Sequence, residues 1–238
     1  MKMNRAVLLV AVTGWLGLSL CAAESSPKDD INAAAKKLAE KANYSWRTTV
    51  AVPEDAPFKP GPTEGKTEKD GFTWLSLSFG GNETKAVLKG DKGAAANPDG
   101  EWQSLAEMDN AEGPGRFMGM MLRNFKAPAA QAAQLVSLAK ELKQDGDAYS
   151  GELTEEGAKT LLTFRRRQGG EGPTVTDPKG SVKFWLKDGA LTKYEFNVKG
   201  KVSFNGGDFD QDRTTTVVLK DVGTTKVTVP EDAKKKAS

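Results

Sequence analysis

The residues whose types and spacing best suit a metal ion lie in the stretch GGDFDQDR. Asp208, Asp210 and Asp212 stand two positions apart, as the first ligands of a calcium-binding loop do. Such a loop also requires glycine at its sixth position and glutamate at its twelfth, where this sequence has Arg213 and Leu219. The stretch therefore indicates a turn between strands, and we expect no metal ion or other cofactor.

The chain contains no histidine among its 238 residues. This excludes Ser-His-Asp and Cys-His nucleophilic sites, the HExxH metalloprotease motif and zinc sites that rely on imidazole. Carboxylate, lysine and tyrosine chemistry remain, but no pair of acids stands in a recognisable motif. We therefore predict a protein that is not an enzyme, with a carboxylate-based hydrolase as the least favoured alternative.

The methionine-rich segment GPGRFMGMMLRNF is the best candidate for contact with an apolar molecule. Methionine is unbranched and adapts to varied apolar shapes, and the glycines allow the backbone to reorient. As a flap, the segment would turn its apolar side chains to the ligand and place Arg116 and Arg123 at the rim, near an anionic head group. The alternative is an irregular helix packed permanently into the core. The apolar candidates are Phe117, Met118, Met120, Met121, Leu122 and Phe125.

Large apolar residues on the predicted strands are candidates for the wall of a ligand cavity. Rows of aromatic residues on strands are also typical of an ordinary core, which is the alternative for all of them. Trp185 is expected on the outer face, because it alternates with Phe184. The wall candidates are Trp46, Trp74, Phe184, Leu186, Tyr194 and Phe196.

The elements that must position these residues follow from hydrophobic periodicity and from caps. Apolar residues at helical spacing predict helices at 28–42 and 127–144, the second with Pro128 in its first turn. Thr154 should cap a third helix in DAYSGELTEEGAKTLL, after a short strand. Alternation predicts strands at 43–52, 71–79 and 83–90, with loops at 53–70 and 91–100.

The last third of the chain reads as strand, beginning with the hairpin GSVKFWLKDGALTKYEFNVKG. A two-residue Asp188-Gly189 turn would pair Phe184 with Lys193, whereas a three-residue loop that includes Lys187 pairs Phe184 with Thr192. Only the three-residue loop keeps one face apolar along the whole hairpin, so we predict that register. KVSF, DRTTTVVLKD and TKVTVP should continue the sheet, and the final KKK should be solvated.

The predicted fold class is α+β. Strands follow one another through turns too short for parallel crossovers, so the sheet should be mainly antiparallel. Seven to nine such strands would curve strongly into a half-barrel rather than stay flat. The helices should then lie against its concave face.

The N-terminus has the order of a secretory signal peptide, with Lys2 and Arg5 before an apolar run and then small residues. We predict residues 1–23 as the signal peptide, cleaved after Ala23, and residues 24–238 as a single exported domain, periplasmic or secreted. An uncleaved membrane anchor and lipidation at Cys21 are the alternatives. Cleavage would remove two of the 34 basic residues and none of the 32 acidic ones. A near-neutral chain argues against nucleic-acid binding, and FRRRQGG reads as a solvated loop.

Four stretches of the sequence resemble the bacterial lipoprotein-carrier superfamily, with the LolA/LolB-like fold that lipid-binding lipoproteins such as the LppX/LprG group share. The stretches are NYSWRTTVAV, KAVLKGDKGAAANPDGEWQSL, VKFWLKDGALTKYEFNVKG and RTTTVVLKDVGTTKVTVPEDA. The resemblance implies an open antiparallel half-barrel whose mouth is closed by helices over an apolar cavity. The carriers' functional lid arginine has two candidate positions here, Arg47 and Arg116.

These observations favour a non-enzymatic exported domain that binds an apolar ligand, a lipid or acyl chain, in a half-barrel cavity. Such a domain could carry a lipid or a lipoprotein. The alternative is an envelope interaction or scaffold domain with a filled core, which would contact a protein partner and bind no ligand. No membrane span is expected after signal cleavage.

Overall fold

The computed structural model describes residues 25–56, 59–79, 81–163, 173–204 and 207–238. The predicted signal peptide, Cys21 and the FRRRQGG stretch lie outside these residues.

The described residues form one sheet of eleven strands, two more than the largest number predicted. Every pair of neighbouring strands is antiparallel, and the sheet is open, with β6 and β7 at its edges. The spatial order is β6-β5-β4-β3-β2-β1-β11-β10-β9-β8-β7. The strands are β1 (Asn43–Ala51), β2 (Thr63–Glu68), β3 (Thr73–Phe79), β4 (Asn82–Lys89), β5 (Lys92–Ala96), β6 (Trp102–Ser104), β7 (Lys143–Asp145), β8 (Ala148–Glu152), β9 (Thr174–Lys187), β10 (Ala190–Phe204) and β11 (Gly207–Lys220).

Six helices accompany the sheet in the described part of the chain, and those that enclose the main core pack on one face of it. Ser26 begins the first helix with a reciprocal capping box to Asp29, and Thr154 caps the fifth helix as predicted. The helices are α1 (Pro27–Ala39), α2 (Leu105–Asp109), α3 (Pro114–Asn124), α4 (Pro128–Leu138), α5 (Glu155–Leu162) and α6 (Glu231–Lys236). The α+β class and the half-barrel are thus confirmed.

The predicted loop at 53–70 is wrong in its second half, which forms strand β2. Its residues are small or charged and carry no apolar alternation, so local sequence gives no strand signal. The strand exists because it pairs on both sides, with β1 and with β3. Gly65 lies opposite Trp46, and a Cβ atom at this position would overlap the indole ring. Glycine is therefore the residue that lets the buried indole lie flat across β2.

The predicted loop at 91–100 is also wrong, because residues 92–96 form strand β5. Gly93, Ala94 and Ala95 are all buried there. Their small side chains fit because both faces are covered: Leu105 approaches Gly93 from one side, while Ala94 belongs to a second apolar cluster on the other. The stretch EWQSLAEM, for which no element was predicted, supplies β6 and α2.

The predicted helix at 127–144 begins correctly, with Pro128 at its first position, but it ends at Leu138. Ala139 adopts an extended backbone and forms a bridge with Leu153. The next residues join the sheet edge as β7. The helix therefore ends early because this part of the backbone pairs with the sheet, although LAKELKQ has helical periodicity. The first helix likewise ends earlier than predicted, at Ala39.

The predicted three-residue hairpin loop is wrong. The turn consists of Asp188 and Gly189 alone, both with positive φ, as a two-residue hairpin turn requires. The apolar face survives because Thr192 forms a bulge that shifts the register by one residue. Beyond it, Tyr194 pairs with Phe184 and Phe196 pairs with Val182.

The C-terminal segment (residues 222–238) does not contain the extra strand that the sequence predicted, whereas Lys235 and Lys236 are exposed to solvent as expected. TKVTVP has no strand pairing, and the lysines belong to α6. The segment packs Val229, Ala233 and Ala237 against Val87 and Ala94, on the face of the sheet opposite the main core. It thereby covers the outer face of the half of the sheet that contains β4 and β5.

Acidification should loosen α6, because one of its contacts is an ion pair with Glu107 of α2. Its Lys236 ammonium lies 2.5 Å from Glu107 Oε1, and this hydrogen bond, together with the backbone N–H of Ser104, lowers the pKa of Glu107 to about 2. Because the folded pKa lies below the ordinary value of 4.5, the contribution is complete above 4.5 and is lost as the pH falls towards 2. NMR hydrogen exchange should show α6 amide protection decreasing over this window.

Glu107→Gln supplies the matched control for this prediction. At pH 5 the α6 amides of the variant should already be less protected than those of wild type. Their protection should not decrease further as the pH falls towards 2. Equal protection of α6 in wild type and variant at pH 5 would show that the ion pair does not hold the helix.

Candidate functional site

The concave face of the sheet brings together most of the predicted wall residues. Trp46 on β1, Phe184 and Leu186 on β9, and Tyr194 and Phe196 on β10 are all buried in one apolar cluster. Phe184 and Tyr194 are fully inaccessible, with ring centroids 6.3 Å apart. The helices α1, α4 and α5 fill the space in front of β9 and β10 with small and aliphatic side chains.

Tyrosine hydroxyls attach this filled half of the interior to the helices. Tyr194 donates to Gln131 Oε1 at 2.7 Å, and Tyr149 donates to Asp30 Oδ2 at 3.2 Å. Burial raises the pKa of Tyr194 well above its ordinary value, and burial likewise raises the pKa of Tyr149, with the Asp30 charge adding to the effect. Both hydroxyls therefore stay protonated donors at neutral pH. These bonds fix α1 and α4 on the sheet.

The methionine-rich segment forms a regular helix, α3, which differs from the other helices in how it is held. It begins after Gly113, whose φ of 62° and ψ of −131° suit glycine and not residues with a side chain. Its main neighbour is α2: Gly119 lies close against Met108, and Arg123 Nε donates to Asp109 Oδ1 at 3.0 Å. Close packing of Gly119 on Met108 and a surface ion pair thus secure this helix, rather than buried hydrogen bonds to the sheet.

One side of α3 faces the apolar interior, and the other side stays in solvent. Leu122 is buried, and Met118 and Met121 are half-buried against the core. Phe125, directly after the helix, stacks on Trp46 with ring centroids 6.1 Å apart and planes 20° apart. Phe117 is 47% exposed. The helix therefore lies over the Trp46 end of the concave face.

Several candidates do not lie with this group. Trp74 points to the outer face, where it packs with the cluster under the C-terminal segment. Trp185 also lies on the outer face, as predicted, between Lys183 and Lys193. Arg116 is exposed on α3, whereas Arg47 lies on the outer face and pairs with Glu64 at 2.6 Å. Of the two candidates for a lid arginine, only Arg116 lies on α3.

The predicted turn that contains the three aspartates is a strand in the structure. Asp208, Asp210 and Asp212 are exposed within strand β11 rather than in a turn, and Lys199 lies 3.5 Å from Asp212. No group of three or more Cys, Asp or Glu side chains is placed to hold a metal ion in the described ranges.

Two cavities in the described part of the chain lie outside the apolar interior. One, of about 270 Å³, is bordered by α1 and the β9–β10 turn, and Asp30, Lys37 and Asp188 are among its lining residues. The other, of about 440 Å³, lies on the outer face beside Trp74 and Glu83. Both are lined mainly by polar side chains.

Three residues that support the candidate site without lining it were not predicted from the sequence. Gly65 makes room for the Trp46 ring, Met108 supports α3, and Gln131 accepts the bond from Tyr194. Only the glycine had a local signal, as a single glycine in a strand often marks close approach of another group. Met108 and Gln131 act through contacts distant in sequence, which no spacing pattern reveals.

The class that these observations define is an open antiparallel half-barrel with a helix-covered concave face. Among solved structures, the chain is similar to the lipoprotein LppX of Mycobacterium tuberculosis, with a TM-score of 0.47 and 8% identity over 84% of this chain and 96% of that one. It is also similar to LprF from Mycobacterium bovis, with a TM-score of 0.44 and 13% identity over 88% of this chain and 100% of that one. LppX is one of the proteins named in the resemblance drawn from the sequence.

No protein-family model matches the sequence, and no curated protein is detectably similar to it. Among the helices of the described residues, none has the length and apolar character needed to span a bilayer.

Proposed function

We propose that this protein is an exported, non-enzymatic domain that binds an apolar ligand, a lipid or acyl chain, beneath α3. The observation that carries the proposal is the contact of Phe125 with Trp46, below a helix with three methionines and one exposed phenylalanine. This is the part of the concave face where a movable element, rather than α1 or α4, covers the apolar interior.

The mechanism is sequestration. When α3 moves away about the Gly113 break, the rings of Trp46 and Phe125 separate and the apolar floor becomes accessible to an acyl chain. Each Å² of apolar surface that the ligand and the floor bury contributes about 25 cal/mol. Met118 and Met121, which pack against the core, adapt to the shape of the chain because their thioether side chains are unbranched.

The proposed site extends from α3 towards the filled half of the interior. Trp46 and Leu122 line the opening, while Phe184, Leu186, Tyr194 and Phe196 form the far end, where α1 and α4 already cover them. Arg116 is placed at the rim for an anionic head group. Arg123 reaches the same rim when its ion pair with Asp109 opens.

Export through the N-terminal signal peptide, with cleavage after Ala23, would place this domain in the periplasm or outside the cell. A lipid carrier in that compartment would collect its ligand at one membrane and release it elsewhere, without a cofactor. A protein partner in the envelope is consistent with the same role.

A second candidate function is a scaffold domain that binds no ligand. It is favoured by the complete burial of Phe184 and Tyr194 and by the hydroxyl bonds that tie α1 and α4 to the sheet. In that case α3 is a permanent part of the core, and its exposed Phe117 contacts an envelope protein. Lipid extraction and native mass spectrometry of the purified protein distinguish the two, since only a carrier co-purifies with lipid.

Replacing Met118 and Met121, the two methionines of α3 that pack against the core, together with aspartate should weaken uptake of an acyl probe, cis-parinaric acid, by at least about 100-fold. Two carboxylates facing an apolar site impose a desolvation cost of several kcal/mol on the bound state. Fluorescence titration measures the uptake, and circular dichroism checks the fold.

The matched control is the double variant Phe209→Asp/Val222→Asp, which introduces the same two charges at apolar side chains that are 52% and 41% exposed. Its uptake should match wild type. Undiminished uptake in the Met118→Asp/Met121→Asp variant would remove α3 from the site, and absence of both lipid and probe binding in wild type would leave the scaffold function.

A further inference from the structure

The outer face of β9, β10 and β11 carries a set of basic and apolar residues that are exposed or half-buried, here called the basic–aromatic patch. Strand register places Trp185, Lys193 and Val218 side by side across the three strands. Lys183 and Lys220 lie two residues along from Trp185 and Val218, on the same face.

At the centre of the patch, two lysine ammonium groups lie over the indole ring of Trp185. The Lys193 ammonium lies 4.1 Å from the centroid of the Trp185 ring, and the Lys183 ammonium lies 5.0 Å from it. Val218 is 37% exposed beside Lys193. Glu195 is the one acid in the middle of this surface, 4.0 Å from Lys193 and also bonded to Thr216. Its carboxylate offsets only part of the positive charge.

The opposite half of the outer face, which contains β4 and β5, is covered by another part of the chain. There the C-terminal segment covers Val87 and Ala94, and Trp74 packs at the edge of the cluster. The apolar residues of the C-terminal segment that pack on the sheet, Val227, Val229, Ala233 and Ala237, lie in that cluster and not beside Trp185. An indole and a valine are thus left at the surface among lysines.

We propose that the basic–aromatic patch binds the surface of an anionic membrane. Indole rings favour the head-group level of a bilayer, where one part of the ring is apolar and the N–H remains wet. Lysine ammoniums are compact charges that suit a diffuse layer of lipid phosphates and need no fixed partner geometry. β9, β10 and β11 are inner strands of the sheet, so this face offers no free strand edge for a peptide to join.

Co-sedimentation with vesicles of phosphatidylcholine, with and without phosphatidylglycerol, tests this proposal. Wild type should partition to the anionic vesicles at least about tenfold more strongly than to neutral ones, and added salt should reduce the difference. The double variant Lys183→Glu/Lys193→Glu should lose at least about tenfold in partitioning to anionic vesicles. Trp185→Ala, which keeps every charge, should lose a smaller part of the binding.

The matched control is the double variant Lys199→Glu/Lys201→Glu, on the same face of the same β10 strand but opposite Asp212 and Asp210. It makes the same charge change outside the patch, so its partitioning should fall by no more than about twofold. Equal loss in both double variants would overturn the proposal, because net charge alone would explain it. Retention on immobilised polyglutamate without vesicle binding would also overturn it, in favour of an acidic protein partner.

This inference does not rest on the proposed ligand site. The Lys183→Glu/Lys193→Glu variant should take up cis-parinaric acid in solution as wild type does. Failure of ligand uptake in wild type, with anionic vesicle binding intact, would refute the lipid-carrier proposal and leave the membrane-binding patch standing.

Discussion

Phe184→Ala should lower the free energy of unfolding by about 3–5 kcal/mol. The phenylalanine is fully buried, pairs with Tyr194 across the hairpin and with Tyr149 on β8, and faces the helices that fill the concave side. The cost includes both the transfer free energy of the lost ring atoms and the cavity that remains. The surrounding structure cannot easily close this cavity, because hydrogen bonds from tyrosine hydroxyls hold α1 and α4 in place.

Urea denaturation followed by circular dichroism measures this loss, and an unchanged m-value would show that the native state alone is affected. Trp185→Ala is the matched control, since the neighbouring side chain points to the outer face. It should cost about 1 kcal/mol, mainly through its contacts with Lys183 and Lys193. Similar losses in the two variants would contradict the assignment of inner and outer faces along β9.

Gly65→Val should destabilise the protein by about 3 kcal/mol, at the upper end of what overpacking usually costs. A Cβ atom at Gly65 would overlap the indole of Trp46. That ring cannot turn aside, because it is buried and stacks on Phe125 at the base of α3. Valine would therefore have to separate β2 from β1 or displace both rings.

Lys66→Val tests whether the loss comes from the indole contact rather than from valine in the strand. Lys66 is the next residue on β2 and points to the outer face, so this change should alter the free energy of unfolding by about 0.5 kcal/mol or less. The Gly65→Val protein should also show altered tryptophan fluorescence in the native state. A Gly65→Val protein as stable as wild type would show that Trp46 can take another position.

Helix caps and strand alternation could be predicted from the sequence, because both depend on residues that are close together along the chain. The cap at Thr154, the start of α4 at Pro128 and the alternation of Tyr44 and Trp46 in β1 all appear in the structure. The face of Trp185 was also correct, because period-two alternation depends only on the strand being a strand. These signals were enough for the α+β class and for an antiparallel sheet.

The candidate site was predictable in part. The sequence identified the residues of α3 and the buried aromatic residues as separate groups. Their contact through Phe125 and Trp46 depends on a separation of 79 positions along the chain, which periodicity does not encode. Trp74 was placed on the wrong face, because its strand has apolar residues on both sides and the C-terminal segment covers the outer one.

The sequence by itself therefore determined which functional groups are present and which local structures repeat. It showed the absence of histidine, the apolar strands, the helix caps and one methionine-rich segment. The tertiary structure decided which small or polar stretches become strands and which apolar face is covered. Strands β2 and β5 exist because neighbouring strands supply their hydrogen bonds and because Trp46 and Leu105 require small partners there. The physical reason is that pairing and close packing act between residues far apart in sequence, whereas propensity and periodicity act only between near ones.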